Sequence, residues 1–360
     1  MTPRRPSQAD ESDVRIRPNP RGSRPRTKER PRHEDAVPAQ VVSVDRGRYR
    51  CLLGGFTADG SDRADNRARK TADEEEPDGL VTAMKARELG RAGVVVGDRV
   101  ALVGDVSGDP GTLARVVRVE SRRSVLRRSA DDSDPVERVL VANADQLAVV
   151  TALADPEPRG RLVDRCLVAA YDGGLEPLLM LTKADLRDPA EFVTAYAPLD
   201  VPWVVTRRAA DGSLSGLDVV REHLAGHVTV LVGHSGVGKS TLVNALVPGA
   251  DRAIGEVNDV TGRGRHTSAS AVALRLPDGP GWVVDTPGVR SFGLAHVDPD
   301  RIVQAFPDLA TGTDECPRGC THDEPDCALD EFVTSGGAGP AGPARLDSLR
   351  RLLRSRPDTP

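Results

Sequence analysis

The stretch VLVGHSGVGKSTLVNAL, Val230–Leu246, passes from an apolar run through glycines into a lysine and two hydroxyls. From Gly233 to Ser240 it matches Gly-x4-Gly-Lys-Ser/Thr, a loop that cradles phosphates. Gly233, Gly236 and Gly238 let the backbone wrap its N–H groups around phosphate oxygens, where side chains would block the approach. With the intervening His234, Ser235 and Val237 they make up the expected cradle. Lys239 can reach the terminal phosphates as a point charge, Ser240 can offer its hydroxyl to magnesium, and Thr241 carries the chain into a helix. The flanking residues read as an apolar strand before the loop and a helix after it, which is the context this loop requires.

Two further stretches complete a nucleotide site. WVVDTPG, Trp282–Gly288, ends an apolar run in Asp285, placed to hold magnesium through water, while Gly288 can donate its backbone N–H to a γ-phosphate. LMLTKADL, Leu179–Leu186, supplies a base reader. Ionised Asp185 can accept two hydrogen bonds from the N1–H and 2-amino groups of guanine. Adenine leaves that carboxylate unsatisfied, and sites built on such groups discriminate by roughly 10⁴ or more. The stem of Lys183 would cover the base plane. Thr182 stands where an Asn is usual, so the amide tie to the phosphate loop is missing and the threonine hydroxyl is its candidate replacement. The base reader here precedes the phosphate loop, the reverse of the ordinary order.

Bulk properties bound the rest. The chain has 360 residues, enough for two or three domains, with 38% hydrophobic and 29% charged residues. Aromatics are only 3%, so the core must be built of Val, Leu and Ala. A net charge of -5 excludes a whole-molecule electrostatic nucleic-acid binder, and RNA contact would need a local patch. No apolar run is long enough to span a membrane, and the basic start is not followed by the apolar segment of a signal peptide, so the expected compartment is the cytoplasm. Nothing in the sequence demands a dimer.

Along the chain, residues 1–36 are rich in Arg, Pro and Ser and read as a disordered basic tail, either solubilising or an arm for RNA phosphates. AQVVSVD, RYRCLL, LVTAMKA, GDRVALV and TLARVVRVE then predict five short strands over 37–128, which suit an OB-fold barrel. The polar stretch 54–79 reads as a loop inserted in it. Tyr49 and Phe56 are the candidate base-stacking aromatics of that barrel. Arginines 115, 118, 122, 123, 127 and 128 are either an RNA contact or a solvated face. From 129 to 295 strands and helices alternate, predicting an α/β layer with a largely parallel sheet. RVLVANADQLAVVTAL reads as one buried strand, and DPDRIVQAFPDL, farther on, as a helix.

The chain has five cysteines, of which Cys316, Cys320 and Cys327 bunch around His322. Three thiolates and an imidazole suffice for a closed tetrahedral zinc site, which is structural because no position stays open for water. The remaining histidines, His33, His223, His227, His234 and His296, read as structural or exposed.

ANADQLAVV, TKADL, GHSGVGKSTLVNAL, GRGRHTS, DTPGVRSFG and CPRGCTHDEPDCAL, in this order, resemble the circularly permuted GTPases of small ribosomal subunit biogenesis, the RsgA family. The resemblance runs from Val37 to the C-terminal helix. It implies a multidomain architecture: an N-terminal OB-fold barrel, a central circularly permuted P-loop α/β GTPase domain over 129–295, and a C-terminal helical zinc-binding domain over 296–360. It further implies GTP hydrolysis to GDP and phosphate, stimulated by the small ribosomal subunit and its rRNA late in maturation. GRGRHTS would be the mobile first switch, with Thr267 (Ser268 as the neighbouring alternative) sensing the γ-phosphate through magnesium and His266 orienting the attacking water. Val289 follows the Asp-x-x-Gly motif where many GTPases place a water-positioning Gln, so intrinsic hydrolysis is expected to be slow. The zinc-ligand intervals are each one residue shorter than the family's usual spacing. VTRRAADGSLSGL occupies the place of a second base-contacting loop but departs from the usual Ser-Ala, so it yields no residue. Two other readings are a GTP-occupied RNA-docking switch with negligible turnover and a P-loop ATPase or kinase, the latter disfavoured by Asp185.

Overall fold

Glycine turns and alternating apolar residues set up the first five strands. In the computed structural model, which describes residues 33–56, 79–90, 93–128, 138–250, 271–277, 279–287, 292, 294 and 297–355, these are β1 (Val37–Asp45), β2 (Arg48–Leu53), β3 (Leu80–Lys85), β4 (Arg99–Gly104) and β5 (Ala114–Val119). Arg46 and Gly47 both take positive φ between β1 and β2, the twist that a two-residue hairpin turn needs. The strands pair in the order β1-β2-β3-β5-β4, and β1 closes the barrel on β4. An irregularity between Val41 and Ser43 lets β1 serve both neighbours. The barrel interior is small and aliphatic, with Val41, Cys51, Val81, Leu102 and Val116 all at most 1% exposed. The 54–79 loop is closed at its base by the Leu53 N–H donating to Gly79 O at 3.0 Å. Its residues 57–78, like the tail 1–32, lie outside the described residues.

The long run RVLVANADQLAVVTAL does not form one strand. It divides into β7 (Arg138–Ala142), antiparallel to β6 (Val125–Arg128), and β8 (Gln146–Ala152). Asn143 makes the break. Its φ is 56°, and its side chain accepts from the Arg123 N–H at 3.0 Å and donates to Gly97 O at 3.0 Å. Asn tolerates the left-handed conformation because its short amide can bond locally.

The nucleotide sheet continues with α1 (Gly160–Gly173), β9 (Glu176–Thr182), α2 (Ala190–Tyr196), β10 (Trp203–Val205), the hairpin β11 (Arg207–Arg208) and β12 (Leu214–Ser215), α3 (Leu217–Leu224), β13 (Val228–Val232), α4 (Lys239–Leu246), β14 (Val272–Arg275) and β15 (Trp282–Asp285). The order is β10-β9-β8-β13-β15-β14, parallel except for β14. All residues of β8 and β13 are buried, as expected for strands covered on both faces. Leu147 and Val149 pack with α1, while Ala148 and Val150 pack with α3 and α4. Ser43 of β1 pairs with Val272 of β14, so barrel and sheet are continuous.

The C-terminal region carries α5 (Pro299–Val303), α6 (Pro307–Ala310), α7 (Ala328–Thr334) and α8 (Gly342–Arg354). The helix expected in DPDRIVQAFPDL is two, because Pro307 has no N–H to continue the first. Leu349 and Leu352 of α8 are fully buried. From α1, Arg165 donates to Phe292 O at 2.8 Å and Ser355 O at 3.3 Å, tying the end of α8 to the segment after β15.

Most of the arginine cluster is engaged within the protein. Arg122 pairs with buried Asp98 at 2.7 Å, Arg118 with Glu120 at 2.7 Å, Arg127 with Asp172 at 3.9 Å, and Arg123 with Asp145. Neither expected stacking aromatic is available to a base. Tyr49 is buried in the barrel, and Phe56 stacks on Trp282 with ring centroids 4.4 Å apart. Among the described residues, no helix is long and apolar enough to cross a membrane.

Candidate nucleotide site and metal centre

The phosphate loop joins β13 to α4 at the carboxyl edge of the sheet, where open α/β sheets bind ligands. Each of its glycines is required for a physical reason. A Cβ on Gly233 would lie 2.5 Å from Val150 O, and Gly236 and Gly238 have φ of 83° and 93°. Gly238 caps α4, its carbonyl accepting from the Leu242 N–H at 2.9 Å. Val237 is buried beneath the loop, whereas Ser235, Ser240 and Thr241 are exposed and His234 is half-buried. Lys239 Nζ forms an ion pair with Asp285 Oδ1, both side chains being mostly buried. Parallel pairing sets that meeting, since Asp285 at the end of β15 lies beside Leu231 of β13. Thr286, which sequence reasoning did not single out, donates its hydroxyl to Leu231 O at 2.8 Å and locks the two strand ends. Its place inside Asp-Thr-Pro-Gly was the available signal.

Thr182 ends β9 with 5% exposure, and its hydroxyl reaches Val237 O at 2.5 Å and Thr151 O at 3.3 Å. The hydroxyl therefore does tie the TKAD loop to the phosphate loop, as the sequence suggested. Lys183 follows with φ of 58°, and its ammonium donates to Asp155 O. Asp185 is exposed and accepts from the Arg208 N–H at 2.9 Å. That bond, helped by its own backbone N–H, holds the carboxyl below the ordinary aspartate value, so Asp185 is a carboxylate at neutral pH. The Ala184 N–H donates to Thr206 O at 3.2 Å. VTRRAADGSLSGL thus lies against the TKAD loop through the backbone of Thr206 and Arg208. A backbone donor leaves no residue-type signature in a sequence.

His266, Thr267 and its neighbour Ser268, together with Gly288 and Val289, lie outside the described residues.

Cys316, Cys320, His322 and Cys327 converge, with one ligand atom from each lying within 4.8 Å of the others. Cys316 Sγ is 3.6 Å from His322 Nδ1 and 3.8 Å from Cys327 Sγ. His322 reaches this position with φ of 67°, and its Nε2 lies 3.3 Å from Asp300 Oδ1 of α5. A carboxylate on the outer nitrogen leaves Nδ1 turned to the thiols, the usual support for a metal-bound histidine. Three sulfurs and one nitrogen fit a closed tetrahedral ion, so the cluster could hold a metal despite its shortened intervals.

Comparison with known proteins agrees with this geometry. The family described as RsgA GTPase matches residues 119–295. The Small ribosomal subunit biogenesis GTPase RsgA of Pseudomonas aeruginosa is 39% identical over 274 residues, 74% of this chain and 77% of that protein. Its counterpart in Gemmatimonas aurantiaca is 35% identical over 275 residues, covering 76% of this chain and 89% of that protein. Among solved structures, YjeQ from Thermotoga maritima aligns over 88% of this chain and 97% of its own, with a TM-score of 0.56 and 24% identity. YloQ, a circularly permuted GTPase, aligns over 91% and 99%, with a TM-score of 0.56 and 19% identity. These two support the fold. The barrel, the permuted order of base reader and phosphate loop, and the extent of identity to the two curated relatives place the chain in the RsgA GTPase family, whose members are P-loop GTP hydrolases.

Proposed function

We propose that this GTP hydrolase acts on the small ribosomal subunit late in its maturation, and that the subunit stimulates its turnover. The observation that carries the nucleotide half of this reading is the joining of Thr182 to Val237, which makes one site of two loops in permuted order. The subunit half rests on the names of the curated relatives.

In this reading Gly233–Thr241 cradle the phosphates, Lys183 and Asp185 hold guanine, and Gly288 donates its N–H to the γ-phosphate. Ser240, Thr267 and Asp285 would hold the magnesium that accompanies GTP and neutralises charge on the phosphate oxygens. The pairing of Lys239 with Asp285 supports their roles, since each satisfies the other's charge until phosphate and metal take their places. His266 orients water from the GRGRHTS switch. Cys316, Cys320, His322 and Cys327 hold a structural zinc. Residues 37–128 form the barrel that meets rRNA, 129–295 the GTPase domain and 296–360 the zinc domain of a cytoplasmic monomer.

The test is GTP hydrolysis by the purified chain alone, with small subunits and with large subunits. A rise with small subunits only is expected. Equal turnover under all three conditions would defeat the reading.

A further inference from the structure

Two ionic side chains stand side by side in α1 where the surrounding residues are apolar. From Val163 to Ala170 every residue of this helix is buried, and Asp164 and Arg165 are 5% and 9% exposed. An apolar pair would be cheaper there, since ions leave water only at a cost that well-placed partners must offset. Asp164 faces α8, its Oδ2 lying 3.4 Å from Arg351 Nε. Arg165 turns elsewhere. Its Nε donates to Phe292 O at 2.8 Å, its Nη2 donates to the same oxygen, and its Nη1 donates to Ser355 O at 3.3 Å. Phe292 is 1% exposed and lines a cleft with Val163 and Cys166 of α1 and with Gly233 and His234 of the glycine-rich loop. Upstream, the Thr286 hydroxyl is held on Leu231 O at 2.8 Å. The chain that leaves Asp285 is therefore fixed at Thr286 and fixed again at Phe292.

We propose that Arg165 is a positioning residue for the γ-phosphate half of the site: its fork on Phe292 O sets where the chain following Asp-Thr-Pro-Gly returns to the core. This role rests on the functional reading above, in which Gly288, two residues beyond Thr286 and four before Phe292, donates its N–H to the γ-phosphate. A backbone donor has no side chain with which to adjust, so its aim depends on the anchors on either side. Donors fixed beforehand are effective because they need not reorganise when charge arrives. A guanidinium suits such an anchor better than an ammonium or a neutral group. It is always charged, and its planar fork can place two N–H groups on one carbonyl and a third on another. Hydrogen bonds from a charged donor are also about twice as strong as neutral ones. GDP needs no such donor, because in the same reading the glycine-rich loop and the TKAD loop hold all of it. Arg165 should thus act on the third phosphate alone.

The experiment titrates the full chain with mant-GDP and with the non-hydrolysable mant-GppNHp, in magnesium, and compares the ratio of the two affinities with that of the parent. Arg165→Met keeps the stem in the core and deletes the fork. Its affinity for mant-GDP should match the parent's, while its affinity for mant-GppNHp falls about tenfold, the worth of one hydrogen bond to a charged oxygen. Arg165→Lys, which restores one donor to Phe292 O, should recover part of the ratio. It carries the test alone, still with a ratio below the parent's, if Arg165→Met is too unstable to bind mant-GDP. R351Q cuts the neighbouring contact of α1 with α8 without touching Phe292, so it should keep the parental ratio at a lowered Tm. A parental ratio in the Arg165 variants would overturn the proposal. Affinities that fall equally for both nucleotides, or a ratio that shifts as much in R351Q, would also overturn it and leave Arg165 a packing residue of α1. Small-subunit stimulation is read on the same preparations. A lowered ratio beside a parent that small subunits do not stimulate supports the positioning role and defeats the subunit reading.

Discussion

The Thr182 hydroxyl donates to the Val237 carbonyl at 2.5 Å and so fastens the TKAD loop to the glycine-rich loop of Gly233–Ser240. Thr182→Val keeps the shape and deletes the donor. Leaving a buried acceptor without a partner costs about 1–3 kcal/mol. Thr182→Val should therefore lower the denaturation midpoint and weaken GTP binding by about tenfold, a change worth about 1.4 kcal/mol. Thr182→Asn, which restores an amide donor, should recover most of the affinity. Equal GTP affinity in the parent and Thr182→Val would show that the tie does not organise the site.

Base identity should follow Asp185. Asn in its place exchanges an acceptor pair for one donor and one acceptor, which fits xanthine better than guanine. GTP affinity should fall steeply in Asp185→Asn while XTP binding emerges; a variant that binds GTP like the parent would remove Asp185 from the base site. The pH dependence has a definite sign. The Arg208 N–H holds the folded carboxyl below its ordinary value. Its contribution is thus complete above the ordinary aspartate pKa and is lost only as pH falls through the lowered one. Titration of Asp185 should leave GTP affinity flat between pH 7 and about pH 5.

Zinc should act on folding rather than on catalysis. Structural zinc contributes apparent binding free energy of about 10–16 kcal/mol, much of it expressed as folding. Cys320→Ala, or chelation, should raise hydrogen exchange after residue 310 and weaken ribosome docking, yet spare GTP binding. The loosening should reach α1 as well, because Arg165 bonds the end of α8 and Arg351 lies 3.4 Å from Asp164. Protein purified without chelator that contains no zinc would remove this expectation.

What was legible in the sequence was whatever depends on residue type at short range. Gly236 and Gly238 announce positive φ, and five alternating runs announce five strands. Asp185 and Lys239 stand out because few other side chains could do their chemistry. Contacts made by fold-distant partners were not legible. Arg122 reads as a surface cation until Asp98 is found buried beside it, and Phe56 reads as a base platform until Trp282 covers it. The division of one apolar run at Asn143 depends on a hydrogen bond to Gly97, which no local pattern encodes.

Catalysis should separate from binding at His266. Lys239→Ala removes charge from the phosphates and also strands Asp285, whose side chain is 9% exposed, so both binding and turnover should be lost. A thermal melt of Lys239→Ala is needed beside it, because an unpaired buried carboxylate also costs stability. His266→Ala touches neither the cradle nor Asp185, so GTP affinity should survive. If His266 acts on the attacking water, its loss should lower subunit-stimulated kcat by about 10²–10⁴, the range for a general base. The glycines of GRGRHTS allow many backbone conformations, so the subunit's contribution would be to order that segment around the water. Stimulated turnover should then collapse in His266→Ala further than basal turnover does. Full stimulation in His266→Ala would assign the water to a ribosomal group or to the substrate phosphate itself.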